Sequence, residues 1–340
     1  MKRVKANIYN KDVEPKNGVS NAYKVRPHSI KHPCNMVVSG TRNSGKSFLI
    51  SKIIAQAMKD KVFDEIYIVT PTMLSNRAYF GSFIPDQNVF EPTGDCLQSV
   101  LDTAGLVRDE WEQFQRELKD YNEYMETLKG KNDFTDNQLW RFDELGFLDG
   151  IPDRLVWKYP KEREPQFCCI LDDILGSPCI MKSRALSTMA TLNRHLFQIN
   201  DEYVLPGGRT ACGMSIIIAT QSYSCQNGVP RLLRENTTML ILVGAMKHEK
   251  QMEKIAEELS GNIDAQEFLQ AHRFATKKRY GSLAIDFFAD CPTQTFRMNL
   301  NEYLVFPSQE KECTCKIKPK KMVRVPIEEN KEEENKEDKK

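Results

Sequence analysis

An apolar run, Asn35-Met-Val-Val-Ser39, feeds directly into Gly40-Thr-Arg-Asn-Ser-Gly-Lys-Ser47, and Lys46–Met58 then carries apolar residues at helical spacing. No other feature restricts the fold of the chain as tightly. Glycines at these positions let the backbone curl so that successive N–H groups face one point, and the N-terminus of the following helix adds the positive end of its dipole. The run satisfies GxxxxGK[ST] in the strand-loop-helix context that the pattern requires, and therefore reads as a phosphate cradle. Gly40, Thr41, Arg42, Asn43, Ser44, Gly45, Lys46, Ser47 and Phe48 are the candidate nucleotide contacts. Lys46 would bridge the β and γ phosphates of ATP, and the Ser47 hydroxyl would ligate Mg²⁺. The competing reading is a glycine-rich turn that happens to contain Lys and Ser.

Further apolar runs bounded by turn residues read as buried strands: Glu65–Thr70, Phe167–Leu171, Met214–Thr220 and Met239–Val243, with a less regular one at Ser282–Phe288. Helical patterns at Lys182–Leu196 and Lys247–Leu259 lie between them. Strands alternating with helices predict an α/β domain, 33–310, built on a mainly parallel sheet with helices on both faces. Between about 95 and 160 the pattern changes to a charged, aromatic, helical segment, an insertion. It fits a helix pair packed on the flank of the domain or a lid or partner-binding arm.

A second motif agrees with the first. Phe167-Cys-Cys-Ile-Leu-Asp172-Asp173 is an apolar strand delivering two carboxylates at its carboxyl end, where ligands of parallel sheets gather, and it resembles Walker B. Asp172 would hold Mg²⁺ through a water, and Asp173 would polarise the attacking water, its alternative being an N-cap. The strand Met214–Thr220 ends in Thr220-Gln221, and the Gln221 amide is a candidate γ-phosphate sensor. An arginine is needed to neutralise charge developing on the γ-phosphate, in cis or from a neighbouring subunit. Arg194 ranks first and Arg209 second, with surface ion pairs as the alternative reading.

Lys+Arg 48 against Asp+Glu 47 excludes the strong basic excess of a nucleic-acid-coating protein, so any DNA contact must be local. Lys277-Lys-Arg-Tyr280 is one such patch, or else a solvated turn, and the basic stretch from Lys316 is another. The ten cysteines contain no CxxC pair and read as reduced thiols. Cys313 and Cys315 form a CxC, incidental or part of a metal site completed from elsewhere. A polar arm, 1–32, precedes the domain, and a charged tail expected to lack order, 311–340, follows it. Neither a signal peptide nor a membrane span is expected.

With these residues in place, the chain resembles the FtsK/HerA superfamily, and more closely the genome-packaging ATPases of poxviruses and other large eukaryotic DNA viruses, with their virophage and Polinton relatives. The resemblance runs over about Pro33–Phe288. It is carried by Gly40–Ser47, Asp172-Asp173, Arg194-His195, Ala219-Thr-Gln221, Val229-Pro-Arg-Leu-Leu-Arg-Glu-Asn236 and Tyr280-Gly-Ser-Leu-Ala-Ile-Asp286. It implies an additional-strand P-loop NTPase that assembles as a homo-oligomeric ring on double-stranded DNA and pumps a genome into a preformed capsid. Capsid or portal partners, a trans arginine and a place in the host cytoplasm (virus factory) or virion follow from the same resemblance. One departure stands out: the family's Arg-His pair comes close before the sensor strand, whereas here Asn200–Gly213 intervenes. The alternatives are an ATPase of the same superfamily acting in transposition or segregation, or a non-hydrolysing nucleotide switch in capsid assembly. A small-molecule kinase would need a lid carrying arginines, and the insertion is acidic and aromatic.

Overall fold

The computed structural model describes residues 30–325 apart from 131–132, 151–152, 160–162, 182, 201, 204, 206–207, 225–227, 246–248, 262, 308 and 310–321. The N-terminal arm through 29, the Cys313/Cys315 pair and the tail beyond 325 lie outside the described residues.

In chain order the elements are β1 (Asn35–Gly40), α1 (Lys46–Lys59), β2 (Glu65–Val69), α2 (Met73–Phe80), β3 (Val89–Phe90), α3 (Cys96–Gly130) and α4 (Asp136–Glu144). There follow β4 (Phe167–Asp172), α5 (Pro178–Met181), α6 (Arg184–Leu192), β5 (Met214–Thr220), α7 (Arg231–Glu235) and β6 (Met239–Val243). The chain continues through α8 (Glu249–Leu259), α9 (Ala265–Ala275), β7 (Ser282–Asp286), β8 (Phe296–Met298), β9 (Glu302–Val305) and β10 (Met322–Arg324). All the described strands join one sheet in the order β10-β9-β8-β7-β6-β1-β5-β4-β2-β3. From β6 to β3 every pairing is parallel, whereas β7, β8 and β9 add antiparallel strands on the other side. The decisive feature is β5, inserted between the P-loop strand β1 and the Asp172 strand β4. This is the additional-strand arrangement expected from the sequence.

The strands read as unbroken apolar runs because both faces of the parallel core are buried. Alternate residues go to opposite faces. Val37, Cys169, Leu171, Ile216 and Ile218 pack into one cluster with α3, α6, α8 and α9. Met36, Val38, Cys168, Ile170 and Ile217 pack into the other with Ile50, Ile53 and Ile54 of α1. Cys34, Cys96, Cys168, Cys169, Cys179, Cys212 and Cys291 are buried.

The insertion is a helical flank built in two parts. Along α3, Val100, Ala104, Val107, Trp111 and Phe114 recur at helical spacing and join the sheet cluster. Further on, α3 supports a small separate core in which Tyr124, Phe142 and Phe147 are buried beside Tyr121, Met125 and Phe134. A capping box at Thr135–Gln138 starts α4, and Gln138 Nε2 donates to Glu123 on α3 at 2.8 Å. Two expectations need correction. The helix expected over Lys182–Leu196 spans Arg184–Leu192 and stops before Arg194, where the Asn193 carbonyl accepts from Met214 N at 2.7 Å instead of from the next helical turn. Residues 322–325, assigned to the unordered tail, include β10, parallel to β9 in the register Val323↔Leu304. The apolar Val325 is buried in the main cluster, which draws this short segment onto the sheet edge.

Phe142 is fully buried yet belongs to a core apart from the sheet. Phe142→Ala is expected to cost about 3–5 kcal/mol within that small core. Hydrogen exchange should then show lost protection confined to α4 and the distal half of α3, with β1, β4 and β5 still protected.

Candidate nucleotide-binding site

The parallel core brings Gly40, Asp172, Thr220 and Val243, the last residues of β1, β4, β5 and β6, to one edge of the sheet. The registers Ser39↔Thr220, Asp172↔Ala219 and Gly40↔Val243 place these ends side by side. Residues called separately from sequence thus meet at the carboxyl edge where parallel sheets bind ligands.

The loop between β1 and α1 has the required curl. Asn43 at φ 62° and Gly45 at φ 96° are left-handed, and Ser44 N donates to Thr41 O at 3.2 Å. Gly40 is needed for close approach, since a Cβ there would lie 2.6 Å from Val243 O and 2.7 Å from Ser44 Oγ. The Lys46 ammonium folds back on the loop, donating to Gly40 O at 2.8 Å and Thr41 O at 3.1 Å. Burial lowers its pKa, while Asp173 and Asp172 oppose the shift. Ser44 Oγ is buried with no hydrogen-bond partner, a polar atom in the cradle that a phosphate oxygen would satisfy.

Asp172 is buried, and its carboxyl is pushed up to about 6, first by desolvation and then by the neighbouring Asp173, with Lys46 pulling the other way. Asp173 is exposed and left-handed at φ 55°, and the next helix, α5, does not start until Pro178, so Asp173 is not its N-cap. Its Oδ1 accepts from Gln221 Nε2 at 3.2 Å. The second carboxylate and the candidate sensor therefore form one polar pair at the ends of adjacent strands. Among the described residues no cluster of three His, Cys, Asp or Glu side chains could hold a metal. The oxygen donors Ser47 and Asp172 suit Mg²⁺, which binds through one or two protein oxygens and completes its shell with water and phosphate.

The two arginines separate. Arg194 lies beside the amino end of β5, half-exposed, with its guanidinium 5.5 Å from the centre of the Phe288 ring. The long intervening segment Asn200–Gly213 loops out: Gln198 bridges Ala211, and Gly213 N donates to Leu196 O at 3.1 Å. In space Arg194 therefore still stands directly before the sensor strand, although on the sheet edge opposite the P-loop. Arg209 is a correction. It is buried in an ion pair with the fully buried Glu164, and both precede the amino ends of their strands, away from the phosphate cradle. An arginine locked in this pair is in no position to reach a γ-phosphate. The sequence pattern did not point to Glu164 as its partner, and it offered Tyr280 as part of a DNA patch, whereas the Tyr280 ring lies against Gly45.

No protein-family model and no curated protein matches the chain. Among solved structures it is similar to the genome packaging NTPase B204 from Sulfolobus turreted icosahedral virus 2 in complex with AMPPCP. That match has 15% identity and TM-score 0.38, over 78% of this chain and 96% of that one. It is also similar to the pCW3 conjugation coupling protein TcpA with ATPgS, at 15% identity and TM-score 0.32, over 66% of this chain and 53% of that one. A third is EssC (ATPases 2 and 3) from Geobacillus thermodenitrificans, at 11% identity and TM-score 0.33, over 67% of this chain and 37% of that one.

Two predictions follow from the site's electrostatics. The folded state holds the Asp172 proton more tightly than an unfolded chain, whose carboxyl titrates near 3.8, so this group lowers stability as pH rises through about 6. In metal-free buffer Asp172→Asn should stabilise the protein by about 1–3 kcal/mol at pH 8 and by almost nothing at pH 4, measured by denaturant unfolding. Arg209→Ala should destabilise by about 3–5 kcal/mol because it strands the buried Glu164 charge, whereas Arg194→Ala should leave unfolding nearly unchanged.

Proposed function

We propose that the chain is an ATPase that hydrolyses ATP with Mg²⁺ and couples turnover to movement of double-stranded DNA, packaging a viral genome into a preformed capsid as a homo-oligomeric ring. The observation that carries the hydrolytic reading is the 3.2 Å contact of Gln221 with Asp173, beside Asp172 and across β5 from the Lys46 loop. A cradle alone suits a binding switch, whereas a carboxylate and an amide poised together suit activation of a water.

In this reading the loop N–H groups of Gly40–Ser47 hold the phosphates. Lys46 leaves the Gly40 and Thr41 carbonyls to bridge the β and γ phosphates. Ser47, and Asp172 through a water, would hold Mg²⁺, which would supply charge neutralisation when bound. Asp173 takes the proton of the attacking water while Gln221 orients it. Arg194, partly exposed and remote from its own P-loop, is supplied to a neighbouring subunit's γ-phosphate. The motif resemblance to packaging ATPases supports DNA as the track and a capsid or portal as partner. Among the described residues no helix is long and apolar enough to cross a membrane.

Steady-state ATP hydrolysis by the full chain, with and without long double-stranded DNA, tests the proposal. DNA is expected to raise turnover, and Lys46→Ala and Asp173→Asn to lower kcat by about 10²–10⁴. Mixing inactive Lys46→Ala with inactive Arg194→Ala subunits should restore part of the activity, because some interfaces then combine an intact cradle with an intact arginine. Hydrolysis indifferent to DNA, portal and capsid would defeat the translocase reading, and no restoration on mixing would remove Arg194 from the trans role.

A further inference from the structure

A cavity of about 840 Å³ opens beside the P-loop, and its lining includes Gly45, Phe48, Lys278, Arg279, Tyr280 and Asn299. Two of these are large aromatic residues left open to solvent, Phe48 at 51% and Tyr280 at 55% exposure. Tyr280 also sits at φ 64°, the left-handed region that a bulky side chain occupies only under strain. The fold holds it there. Gly281 N donates to Lys278 O at 2.9 Å, Gly244 N donates to Gly281 O at 2.8 Å, and Ser282 pairs with Val243 at the end of β6. A Cβ at Gly281 would lie 2.3 Å from Ala275 O, so only glycine fits where this turn passes the end of α9. As a result the Tyr280 ring stands against the cradle itself: a Cβ at Gly45 would lie 3.3 Å from Tyr280 Cδ1.

Neither ring is hidden in the core, and a strained, exposed tyrosine touching a phosphate cradle calls for a planar ligand. We propose that Tyr280 is the platform on which the purine base of the bound nucleoside triphosphate stacks, in the cavity that Phe48 also lines. The Arg279 guanidinium lies 4.9 Å from the centre of the Tyr280 ring, so a base on the other face would complete an arginine–tyrosine–base stack. In the same lining the Lys52 ammonium lies 4.4 Å from the centre of the Phe48 ring. The segment Lys277–Tyr280, which sequence alone offers as a DNA contact, is thereby assigned to the nucleotide. The inference rests on the reading of Gly40–Ser47 as a nucleotide cradle and names the part of the ligand which that reading leaves unplaced.

Calorimetric binding of ATP and of inorganic tripolyphosphate, both with Mg²⁺, to the full chain and to Tyr280→Gly and Tyr280→Phe tests it. Tyr280→Gly should weaken ATP roughly ten- to a hundredfold, the worth of one stacked base, and leave tripolyphosphate unchanged. Tyr280→Phe should bind ATP like the parent chain. Because glycine takes a left-handed conformation freely, Tyr280→Gly should keep a cooperative thermal transition in the nucleotide-free protein, which rules out misfolding as the cause of weaker binding. Unchanged ATP affinity in Tyr280→Gly overturns the proposal, as does an equal loss for ATP and tripolyphosphate. Loss of double-stranded DNA binding with ATP affinity intact also overturns it and returns the patch to nucleic acid. If the parent chain binds neither ATP nor tripolyphosphate, the cradle reading itself fails and this inference falls with it.

Discussion

Burial of both faces of the parallel strands β6-β1-β5-β4-β2 is the constraint on which the rest of the structure depends. A strand covered by helices on both sides cannot carry a charge along its length without a large desolvation cost. Polar chemistry is therefore driven to the strand ends, and parallel strands present all their carboxyl ends on one edge. Lys46, Asp172, Asp173 and Gln221 meet there because no interior position could take them. Inserting β5 between β1 and β4 separates the cradle from the carboxylate strand by one strand width, and Gln221 is delivered into that gap.

The two edges of the same sheet hold different electrostatics. At the carboxyl edge, Asp172 and Asp173 face Lys46 in a partly buried site where desolvation raises the Asp172 pKa and lowers that of Lys46. At the amino edge, Arg209 is spent in a buried pair with Glu164, while Arg194 stays half-exposed beside Phe288. Only the second is accessible to another molecule, and this separates an arginine that holds the fold from one that is open to a neighbour.

Much of this was legible in the residues, for particular reasons. The strands Met214–Thr220 and Met239–Val243 stand where their apolar runs begin and end, since turn residues bound them sharply. The P-loop and Asp172-Asp173 were readable because each is a contiguous motif whose function depends on local backbone shape. Helix ends were less legible. The segment after Leu192 keeps a helical apolar pattern, yet the helix ends there, where Asn193 O accepts a long-range bond from Met214 N. The tail misled for the opposite reason: its charge masked Met322-Val-Arg-Val, whose fate is decided by an available strand edge at β9.

The chain by itself thus determined the P-loop, the paired Asp172-Asp173 at a strand end and the Thr220-Gln221 that follows β5, each encoded within a few consecutive residues. Tertiary structure alone decided which arginine is buried, that Arg194 lies beside β5 despite the intervening loop, and that Tyr280 rests against Gly45. Each of those outcomes needs a partner distant in sequence, and the choice among distant partners is made by packing and by the desolvation of charge, which no local pattern records.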